Sequence, residues 1–435
     1  HIALVGSIIF MCLGKYPDAV IVLLLYSIGK DLSESLPNGI KKDILSKVDM
    51  TAAKATIKVL ETKAVVDINE VKKGTVIEVL PGEMIPLDGK VVKGLGYIDL
   101  SSICGESVTM PVKPGDFVKS GAYPVNEKLE IEVVNEISDS FVTKLKSQIN
   151  DSDLNETDIA KENKNVSVMF MLLFTALGII ISLLTPIVNG FKGFDIWIYR
   201  GTCVSLMTNN IAVISYINPG LISGIYKCFT KGVLVRENND LIKYAGVRAV
   251  VFDLEKASER FAGKAVMIAK KIGIDKFAII SDGDTKEVAK VGGIIGIDPN
   301  ACYGDMYLGE MLERLNSMNE FSPNVLFIGD QKTDNVMLKR AIVGGATGMA
   351  ESYEEYSEYS SASVVALKDS PESLIDNIIT AADSVSKVRS NITICFAYKF
   401  IAIIGIISGF IPISIAMCLE VILMIILMIR VTSIK

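Results

Sequence analysis

The stretch Val168-Met-Phe-Met-Leu-Leu-Phe-Thr-Ala-Leu-Gly-Ile-Ile-Ile-Ser-Leu-Leu184 decides the fold class, because it lies within 27 uncharged residues between Lys164 and Lys192. A helix of about 20 apolar residues spans the hydrocarbon core of a bilayer. A second uncharged run, of 26 residues, separates Arg200 from Lys227. Both stretches therefore predict transmembrane helices.

A third apolar region lies near the end of the chain, where Phe400–Leu419 forms 20 uncharged residues. Two glycines and Pro412 in this region predict a tight turn between two helices, the second over about Ile413–Ile429. Together with the two runs above, this region makes a multi-pass membrane protein the expected class.

The opening of the chain predicts a helical hairpin from the short apolar runs Ile2–Gly14 and Ala19–Gly29. Its second helix is expected to continue as the polar helix Lys30–Lys47. Buried helices of a soluble protein are the alternative for runs this short. Because the sequence starts with His1 inside an apolar run, we expect that upstream sequence is missing.

Composition narrows the functional classes. The mean hydropathy is +0.42 and the net charge is −6, with no basic tract, which argues against a nucleic-acid-binding protein. The single histidine, His1, argues against histidine-based proton transfer and multi-histidine metal sites. The seven cysteines form no CxxC pair, so neither a disulfide framework nor a zinc knuckle is expected.

The apolar segments come in pairs around two long polar regions, about residues 45–160 and 230–390, which places both polar regions on one side of the membrane. Basic residues flank these regions, and the positive-inside rule assigns such loops to the cytosol. The flanking residues are Lys41, Lys42, Lys161, Lys164, Lys227, Lys231, Lys387 and Arg389.

The first polar region predicts a small all-β domain over about residues 56–134, because β-branched segments alternate there with Pro and Gly. The predicted strands are Ile57–Leu60, Val76–Leu80, Gly89–Val92 and Leu129–Val134.

The second polar region, about residues 245–370, predicts alternating strands and helices and hence a parallel sheet with right-handed crossovers. Functional residues of such sheets gather at the carboxyl ends of the strands, where Asp253, Ser281, Asp330 and Asp334 fall. Helix capping is the alternative role for any one of these. Four together, three of them carboxylates, favour an Mg²⁺ or phosphate pocket.

The order of these regions resembles the heavy-metal-transporting P-type ATPases. The β domain is similar to their actuator domain, whose TGES loop corresponds to Cys104-Gly105-Glu106-Ser107. In the family that glutamate directs water onto the phosphoenzyme, so the resemblance implies this catalytic role for Glu106. Further matches, in order, are Pro81-Gly82-Glu83, Pro86, Asp88-Gly89, Asp99, Pro111-Val112 and Gly115-Asp116.

The α/β domain resembles the family's phosphorylation domain, of the haloacid-dehalogenase type. The resemblance gives Asp253 the place of the phosphorylated aspartate and Ser281 that of a phosphate-binding hydroxyl. The family's GDGxND corresponds to Gly329-Asp330-Gln331-Lys332-Thr333-Asp334, which implies an Mg²⁺ site of Asp253, Asp330 and Asp334.

The resemblance implies a multi-pass α-helical membrane protein with a cytosolic all-β actuator-like domain and a cytosolic α/β haloacid-dehalogenase-like domain. The expected boundaries are 1–47 for a membrane hairpin with a cytosolic extension, 48–150 for the actuator-like domain, 160–228 for two transmembrane helices, 240–385 for the phosphorylation-like domain and 390–435 for two further transmembrane helices.

Departures from the family pattern point to lost catalysis. Leu254-Glu255-Lys256-Ala257 stands where the family has KTGT, and the stretch Gly304–Met311 has no lysine where the family has one facing the phosphate. Charge positioning of this kind supplies most of the rate in phosphoryl transfer. Only 27 residues separate Asp253 from Ser281, where the family inserts its nucleotide-binding domain, so ATP is not expected to find its usual pocket.

The membrane metal motif is altered as well. Asn209-Asn210-Ile211 aligns with the family's CPC, so the soft thiolate ligands are absent. Lys399 and Glu420 resemble the lysine and aspartate of the zinc/cadmium/lead branch, and a charge within a membrane span is functional by default. We expect Glu420, with Lys399, Asn209 and Asn210, to bind Zn²⁺ or a similar divalent cation. A structural Lys–Glu pair is the alternative.

Three functions follow from these observations. The first is a catalytically degenerate pump homologue, a pseudoenzyme of the cell membrane that acts as a cation-binding or regulatory protein. The second is an active zinc/cadmium efflux pump whose nucleotide binding comes from a partner protein or whose sequence is shortened. The third is a phosphatase, because Asp253 and Glu255 form a D-x-E pair like the D-x-D of dehalogenase-type phosphatases.

Overall fold

A computed structural model gives the fold of this chain. It describes residues 2–48, 54–59, 62–101, 109–140, 143, 157–188, 190, 192–208, 217–253, 259–321, 324–330, 334–347, 362–366 and 371–433. Contacts divide the chain into two compact units. One consists of His1–Asp43, Asn155–Ser223 and Ser384–Lys435, and the other of Ile44–Leu154 and Gly224–Asp383.

The helices follow the apolar and amphipathic segments of the sequence. In chain order they are α1 (Ile2–Cys12), α2 (Tyr16–Val48), α3 (Asp158–Val188), α4 (Phe194–Leu206), α5 (Ile217–Thr230), α6 (Asn238–Ala245), α7 (Glu259–Lys271), α8 (Thr285–Ile295), α9 (Leu308–Phe321), α10 (Asn335–Arg340), α11 (Pro371–Ser408) and α12 (Ile413–Thr432).

The strands fall in the two polar regions. They are β1 (Lys54–Val59), β2 (Thr62–Asp67), β3 (Val76–Val79), β4 (Gly89–Lys93), β5 (Gly96–Asp99), β6 (Thr109–Val112), β7 (Phe117–Val118), β8 (Tyr123–Pro124), β9 (Leu129–Val133), β10 (Val233–Val235), β11 (Ala249–Phe252), β12 (Lys276–Ile280), β13 (Cys302–Tyr303), β14 (Val325–Asp330), β15 (Val343–Thr347) and β16 (Val364–Ala366).

The first unit is helical. Within the described part of the chain, α3, α11 and α12 are long and apolar enough to cross a bilayer, and α1 is a shorter apolar helix. Phe10, Val204 and Ile403 belong to the buried cluster that joins helices of this unit, whereas Met169 and Leu172 on α3 are exposed. A helix that buries one apolar face and exposes another is typical of a span that faces lipid.

Small residues bring α3 and α4 into backbone contact. A Cβ atom added at Gly178 would overlap Ser205 and come within 2.5 Å of the Gly201 carbonyl oxygen, and one added at Gly201 would overlap Ser182 and the Gly178 carbonyl. Glycine and serine at the contact allow two membrane helices to approach this closely. The α3–α4 contact therefore depends on the absence of larger side chains at both glycines.

The β domain within residues 54–140 is built from two antiparallel sheets. The larger has the strand order β2-β1-β3-β9-β4-β7, and the smaller has the order β6-β5-β8. All pairings in both sheets are antiparallel. The four strands predicted for this region coincide with β1, β3, β4 and β9 to within a few residues at either end.

Two glutamates lie opposite each other on β3 and β9 of the larger sheet, where Glu78 pairs in register with Glu130. Lysines offset the repulsion, because Lys63 and Lys128 both contact the Glu78 carboxylate, and Lys58 lies 2.7 Å from Glu130. The hydrogen bonds from these lysines lower the pKa of both carboxyl groups. The pairs therefore stabilise the sheet while the carboxylates are ionised.

The α/β domain has one seven-stranded sheet with the order β10-β16-β15-β14-β11-β12-β13. All neighbours are parallel except β10, which pairs antiparallel with β16 at the edge. Strands β11 and β14 are buried along their length because helices follow each of them. Six strands of this sheet are parallel, as predicted for the region, but neither the short strand β13 nor the antiparallel edge strand β10 was predicted.

The two predicted helical hairpins also agree with the expected local structure. α2 continues without a break from its apolar half into the predicted polar helix Lys30–Lys47 and ends at Val48. The predicted turn around Pro412 separates α11, which ends at Ser408, from α12, which starts at Ile413. Gly409 in this turn has φ of +81°, a conformation that glycine adopts readily.

Acid is expected to weaken the sheet that contains β3 and β9. The pKa of Glu78 is lowered in the folded chain, so its contribution is present above the unfolded pKa of about 4.3 and is lost as the pH falls through the lower folded value. Hydrogen exchange of the β3 and β9 amides, corrected for intrinsic rates, should accelerate several-fold between pH 6 and pH 3. The Glu78→Gln variant should exchange faster at pH 6 and respond less to acid.

The exposed Glu127, which precedes β9, provides a matched control. A Glu127→Gln variant that changed the exchange of β3 and β9 as much as Glu78→Gln would contradict this assignment.

Candidate functional site

Asp253 lies where the sequence placed it, directly after β11. Its backbone N–H donates to the carbonyl oxygen of Ile328 at 2.9 Å, so the β11–β14 ladder continues to this residue. Phe252 is in register with Ile279 of β12 and Ile328 of β14, which puts Asp253 beside the ends of both neighbouring strands. The residue is only 6% exposed. A buried carboxylate is thus fixed at the centre of the sheet edge.

Ser281 follows β12 and is 2% exposed. Its Oγ accepts a hydrogen bond from the Gly283 N–H at 3.0 Å, and its backbone N–H donates to Tyr303 at 3.0 Å. The hydroxyl therefore shapes the turn after β12 and keeps only part of its bonding capacity for a ligand.

Asp334 anchors the loop after β14. Its Oδ2 accepts from the Asp330 N–H at 2.8 Å, and its own N–H donates to the Asp330 carbonyl at 2.9 Å. Gly329 makes this possible, since a Cβ there would lie 2.5 Å from Asp334 Oδ2. Asp334 precedes α10, but its side chain makes no capping bond to that helix. One of its carboxylate oxygens is therefore committed to the backbone of Asp330.

Carboxylate oxygens are the ligands that Mg²⁺ prefers, so Asp253, Asp330 and Asp334 suit this ion chemically. Within the described residues, however, no three Asp, Glu, Cys or His side chains are grouped so that they could hold a metal ion. The magnesium site of these three residues stays a prediction, and we derive no catalytic step from it.

The segment that lacks the expected lysine forms a tight loop around Asp305. The Asp305 carboxylate accepts from the Thr285 hydroxyl at 2.6 Å and from its N–H at 3.1 Å, and these bonds lower the pKa of Asp305. The backbone of Asp305 is left-handed, with φ of +54°. An acidic residue bonded to the start of α8 thus occupies the region where the resemblance places a phosphate-facing lysine.

In the helical unit, Lys399 on α11 and Glu420 on α12 form an ion pair. The distance from Lys399 Nζ to Glu420 Oε1 is 2.7 Å, and the same ammonium donates to the Met207 carbonyl at 3.0 Å. Lys399 is 1% exposed, whereas the Glu420 side chain is 18% exposed. The ammonium is therefore enclosed between a carboxylate and a helix-end carbonyl, and part of the carboxylate remains accessible.

The Met207 carbonyl was missed by the sequence reasoning, because every residue carries this group and no side chain marks it. The signal lies in the end of α4, where Met207 is the C-terminal cap. Carbonyls in the last turn of a helix lack intrahelical partners and accept from cations. Lys399, a lysine within an apolar segment, was the signal that a backbone carbonyl had to lie near its ammonium.

Buried polar contacts surround the pair along α11 and α12. Asn391 is fully buried, and its Nδ2 donates to the Leu427 carbonyl at 2.9 Å, while Arg430 donates to Asn391 Oδ1 at 2.9 Å. The Tyr398 hydroxyl donates to the Ala416 carbonyl. These bonds join the two helices on either side of Lys399 and Glu420 and fix their positions.

Three of the predicted site residues lie outside the described part of the chain. They are Glu106, Asn209 and Asn210, together with the motif residues around them.

Comparison with known proteins agrees with the resemblance. The sequence family of the P-type ATPase actuator domain matches residues 49–150. A cadmium, zinc and cobalt-transporting ATPase of Bacillus subtilis is 31% identical over 243 residues, which is 55% of this chain and 34% of that protein. A zinc-transporting ATPase of Synechocystis is 25% identical over 272 residues, 62% of this chain and 38% of that protein. The chain thus spans little more than a third of these curated relatives.

Among solved structures, a zinc-transporting PIB-type ATPase in the E2.Pi state superimposes with a TM-score of 0.56 and 17% identity. The match covers 99% of this chain and 89% of that structure. At this identity the match concerns the fold. The predicted resemblance to the heavy-metal-transporting P-type ATPases is confirmed, and residues 49–150 match the actuator domain of P-type ATPases.

A methyl group at Gly329 is expected to displace Asp334. The Gly329→Ala variant should lose the bond between Asp334 Oδ2 and the Asp330 N–H and be less stable by about 1–3 kcal/mol. Thermal unfolding and hydrogen exchange at Asp330 measure both effects.

Gly293 on α8 is the matched control, since a Cβ there meets no atom within 4 Å. Gly293→Ala should be neutral or stabilising, by up to about 1 kcal/mol. Equal stability of the two variants would contradict the role assigned to Gly329.

Proposed function

We propose that this relative of the heavy-metal-transporting P-type ATPases is a multi-pass membrane protein that binds a divalent cation without ATP-driven transport. It would act as a cation-binding or regulatory protein. The observation that carries the proposal is the short connection between β11 and β12, which holds a single helix, α7, within the described residues. The homology to the pumps supports the membrane and cation parts of the proposal.

The connection between β11 and β12 leaves no segment for a nucleotide-binding domain. α7 is the ordinary crossover helix between parallel neighbours, and it buries Ala262, Ala265 and Ala269. Only 27 residues join Asp253 to Ser281 in total. A crossover of this length supports assignment of the domain to the haloacid-dehalogenase type without the insertion that would hold adenine.

The charges around Asp253 support the same proposal. Phosphoryl transfer depends on cations that neutralise the moving phosphoryl group. In this sequence Glu255 follows the aspartate closely, and the loop of Asp305 supplies a carboxylate in place of a lysine. Both carboxylates would repel an incoming phosphate. The position of the nucleophile is thus retained, while the groups that would stabilise the transition state are replaced.

The ion pair of Lys399 and Glu420 is the proposed cation site. Glu420 offers a partly exposed carboxylate, and the Met207 carbonyl adds a second oxygen near the ammonium. Oxygen ligands without thiolates fit borderline or hard divalent cations such as Zn²⁺ or Mn²⁺. Asn209 and Asn210, which replace the family's thiolate motif in the sequence, would add amide oxygens.

The proposed topology places both large domains on the cytosolic side of the cell membrane. α3, α11 and α12 are each long enough to span, and lysines and arginines flank the polar regions. Positive charge near the ends of spans favours the cytosolic side.

An active efflux pump is the second candidate function. It is favoured by the fold match to a zinc-transporting ATPase over 99% of this chain, and by the buried Asp253 at the end of β11. In this case Mg²⁺ and ATP would be required, and nucleotide binding would have to come from a partner chain. The two candidates differ in whether Asp253 is phosphorylated.

No acid-stable phosphate label is expected when the purified chain is incubated with radiolabelled ATP, Mg²⁺ and Zn²⁺. The reasons are the missing nucleotide-binding insertion, Glu255 two residues after Asp253 in the sequence, and the acidic loop of Asp305 where the resemblance places a lysine. A zinc-transporting relative serves as the positive control. Label that appears in this chain and disappears in Asp253→Asn would establish the active pump instead.

Binding of Zn²⁺ or Mn²⁺ is expected to depend on Glu420. Calorimetry on the chain in nanodiscs should show an affinity at least tenfold lower for Glu420→Gln, because the charged ligand is removed while its shape is kept. Asp18→Asn on α2 is the matched control and should leave the affinity unchanged. Asp18 accepts a hydrogen bond from Tyr199 and is not part of the Lys399–Glu420 pair. Equal affinities for Glu420→Gln and the unaltered chain would reject the site.

A further inference from the structure

The α/β domain contains a cavity of about 250 Å³ lined by β11, β12 and α9. Its floor is formed by Ala249–Val251 at the start of β11 and by Lys276–Ala278 at the start of β12. Tyr303 and the second half of α9 form its walls. The cavity therefore lies along β11 and β12, the two strands that lead to Asp253 and Ser281.

The floor of the cavity is apolar, because β11 and β12 contribute Val250, Val251 and Ala278 to it. A dry apolar cavity of about 150 Å³ is large enough for a benzene ring. The cavity beneath α9 thus has room for one aromatic ring or a branched aliphatic group together with a small polar substituent. Its volume lies just below the range of about 300–1,000 Å³ that is usual for ligand pockets, so a small ligand fits it better than a whole nucleotide.

Two cations line the cavity. The Arg314 guanidinium carbon lies 3.9 Å from the centroid of the Tyr303 ring, so the planar group is held by stacking. Lys276 is exposed and starts β12 beside Ala249. Neither Arg314 nor Lys276 forms an ion pair with any residue that the structure describes. The polar side of the cavity thus carries positive charge that no described carboxylate neutralises.

We propose that this cavity binds a small amphipathic anion, an aromatic or branched carboxylic acid. The apolar group would lie on Phe277 and Ala278, and the carboxylate would accept from Arg314, with Lys276 adding charge. A guanidinium that stacking already holds in place loses little freedom when it binds a carboxylate. This binding is independent of ATP turnover and of the membrane cation site.

The test uses the full chain in lipid nanodiscs and 4-fluorobenzoate as the probe, observed by fluorine NMR line broadening. We expect a dissociation constant of about 1 mM or lower, as is usual for a ligand of about ten heavy atoms. Empty nanodiscs correct for partition into lipid. The neutral 4-fluorobenzamide, of nearly the same size, should bind at least tenfold more weakly because it cannot pair with Arg314.

Three variants separate charge from shape. Arg314→Gln should weaken binding of 4-fluorobenzoate at least tenfold, and Arg340→Gln, an exposed arginine on α10, should leave it unchanged. Ser317→Phe, which fills the cavity from the partly exposed face of α9, should abolish binding. Ser317→Phe keeps the test decisive if Arg314→Gln fails to fold.

Binding no stronger than in empty nanodiscs, or equal binding by Arg314→Gln and by the unaltered chain, would overturn the proposal. Equal binding of 4-fluorobenzamide would overturn it too, since the cavity would then select for shape without charge.

Discussion

A lysine ammonium enclosed in apolar helices needs a counter-charge, and this constraint organises the helical unit. Lys399 is almost fully buried, and the Glu420 carboxylate and the Met207 carbonyl stabilise its charge. The contact brings together the last third of α11, the first half of α12 and the end of α4. Asn391, Arg430 and Tyr398 add further bonds between α11 and α12. A charged pair of this kind fixes the register of helices that apolar packing alone would leave free to slide.

In the α/β domain, the corresponding constraint is the parallel register of β11, β12 and β14. Once Phe252 is in register with Ile279 and Ile328, the residues that follow these strands must meet at one edge. The position of Asp253 is therefore a consequence of strand pairing and persists when the neighbouring residues change. A sheet can retain the geometry of a catalytic site long after the charges required for catalysis have been replaced. The proposed cation-binding protein and an active pump would share the position of the aspartate and differ in the charges around it.

The local structure of the chain could be predicted from its sequence to a large extent. Apolar runs predicted α3, α11 and α12, and the glycines with Pro412 marked the turn between the last two. The run between Arg200 and Lys227, predicted as one more span, contains the end of α4 and most of α5, and its middle lies outside the described residues. β-branched runs that end in Asp or Ser marked β11, β12 and β14. Predictions from these features are reliable because each feature depends on residues that are neighbours in the chain.

What could not be predicted depends on contacts between distant residues. The edge strand β10 is three residues long and is defined only by its pairing with β16. The role of Asp334 as an anchor for the loop is set by its bond to the Asp330 N–H, although its position suggested a metal ligand or a helix cap. The ligand role of the Met207 carbonyl has no side-chain signature. Each of these is a property of backbone groups, which the identity of a residue reveals only indirectly.

The close approach of α3 and α4 restricts how the helical unit can move. Two helices that touch through Gly178 and Gly201 interlock, with Ser182 and Ser205 lying directly beside the contact. Axial slippage by one turn, about 5.4 Å, would bring bulkier side chains against the opposing backbone. Sliding is therefore blocked by steric exclusion, and the two helices should tilt or rotate as a single rigid body. Any conformational cycle of this protein would then have its shear plane elsewhere in the bundle.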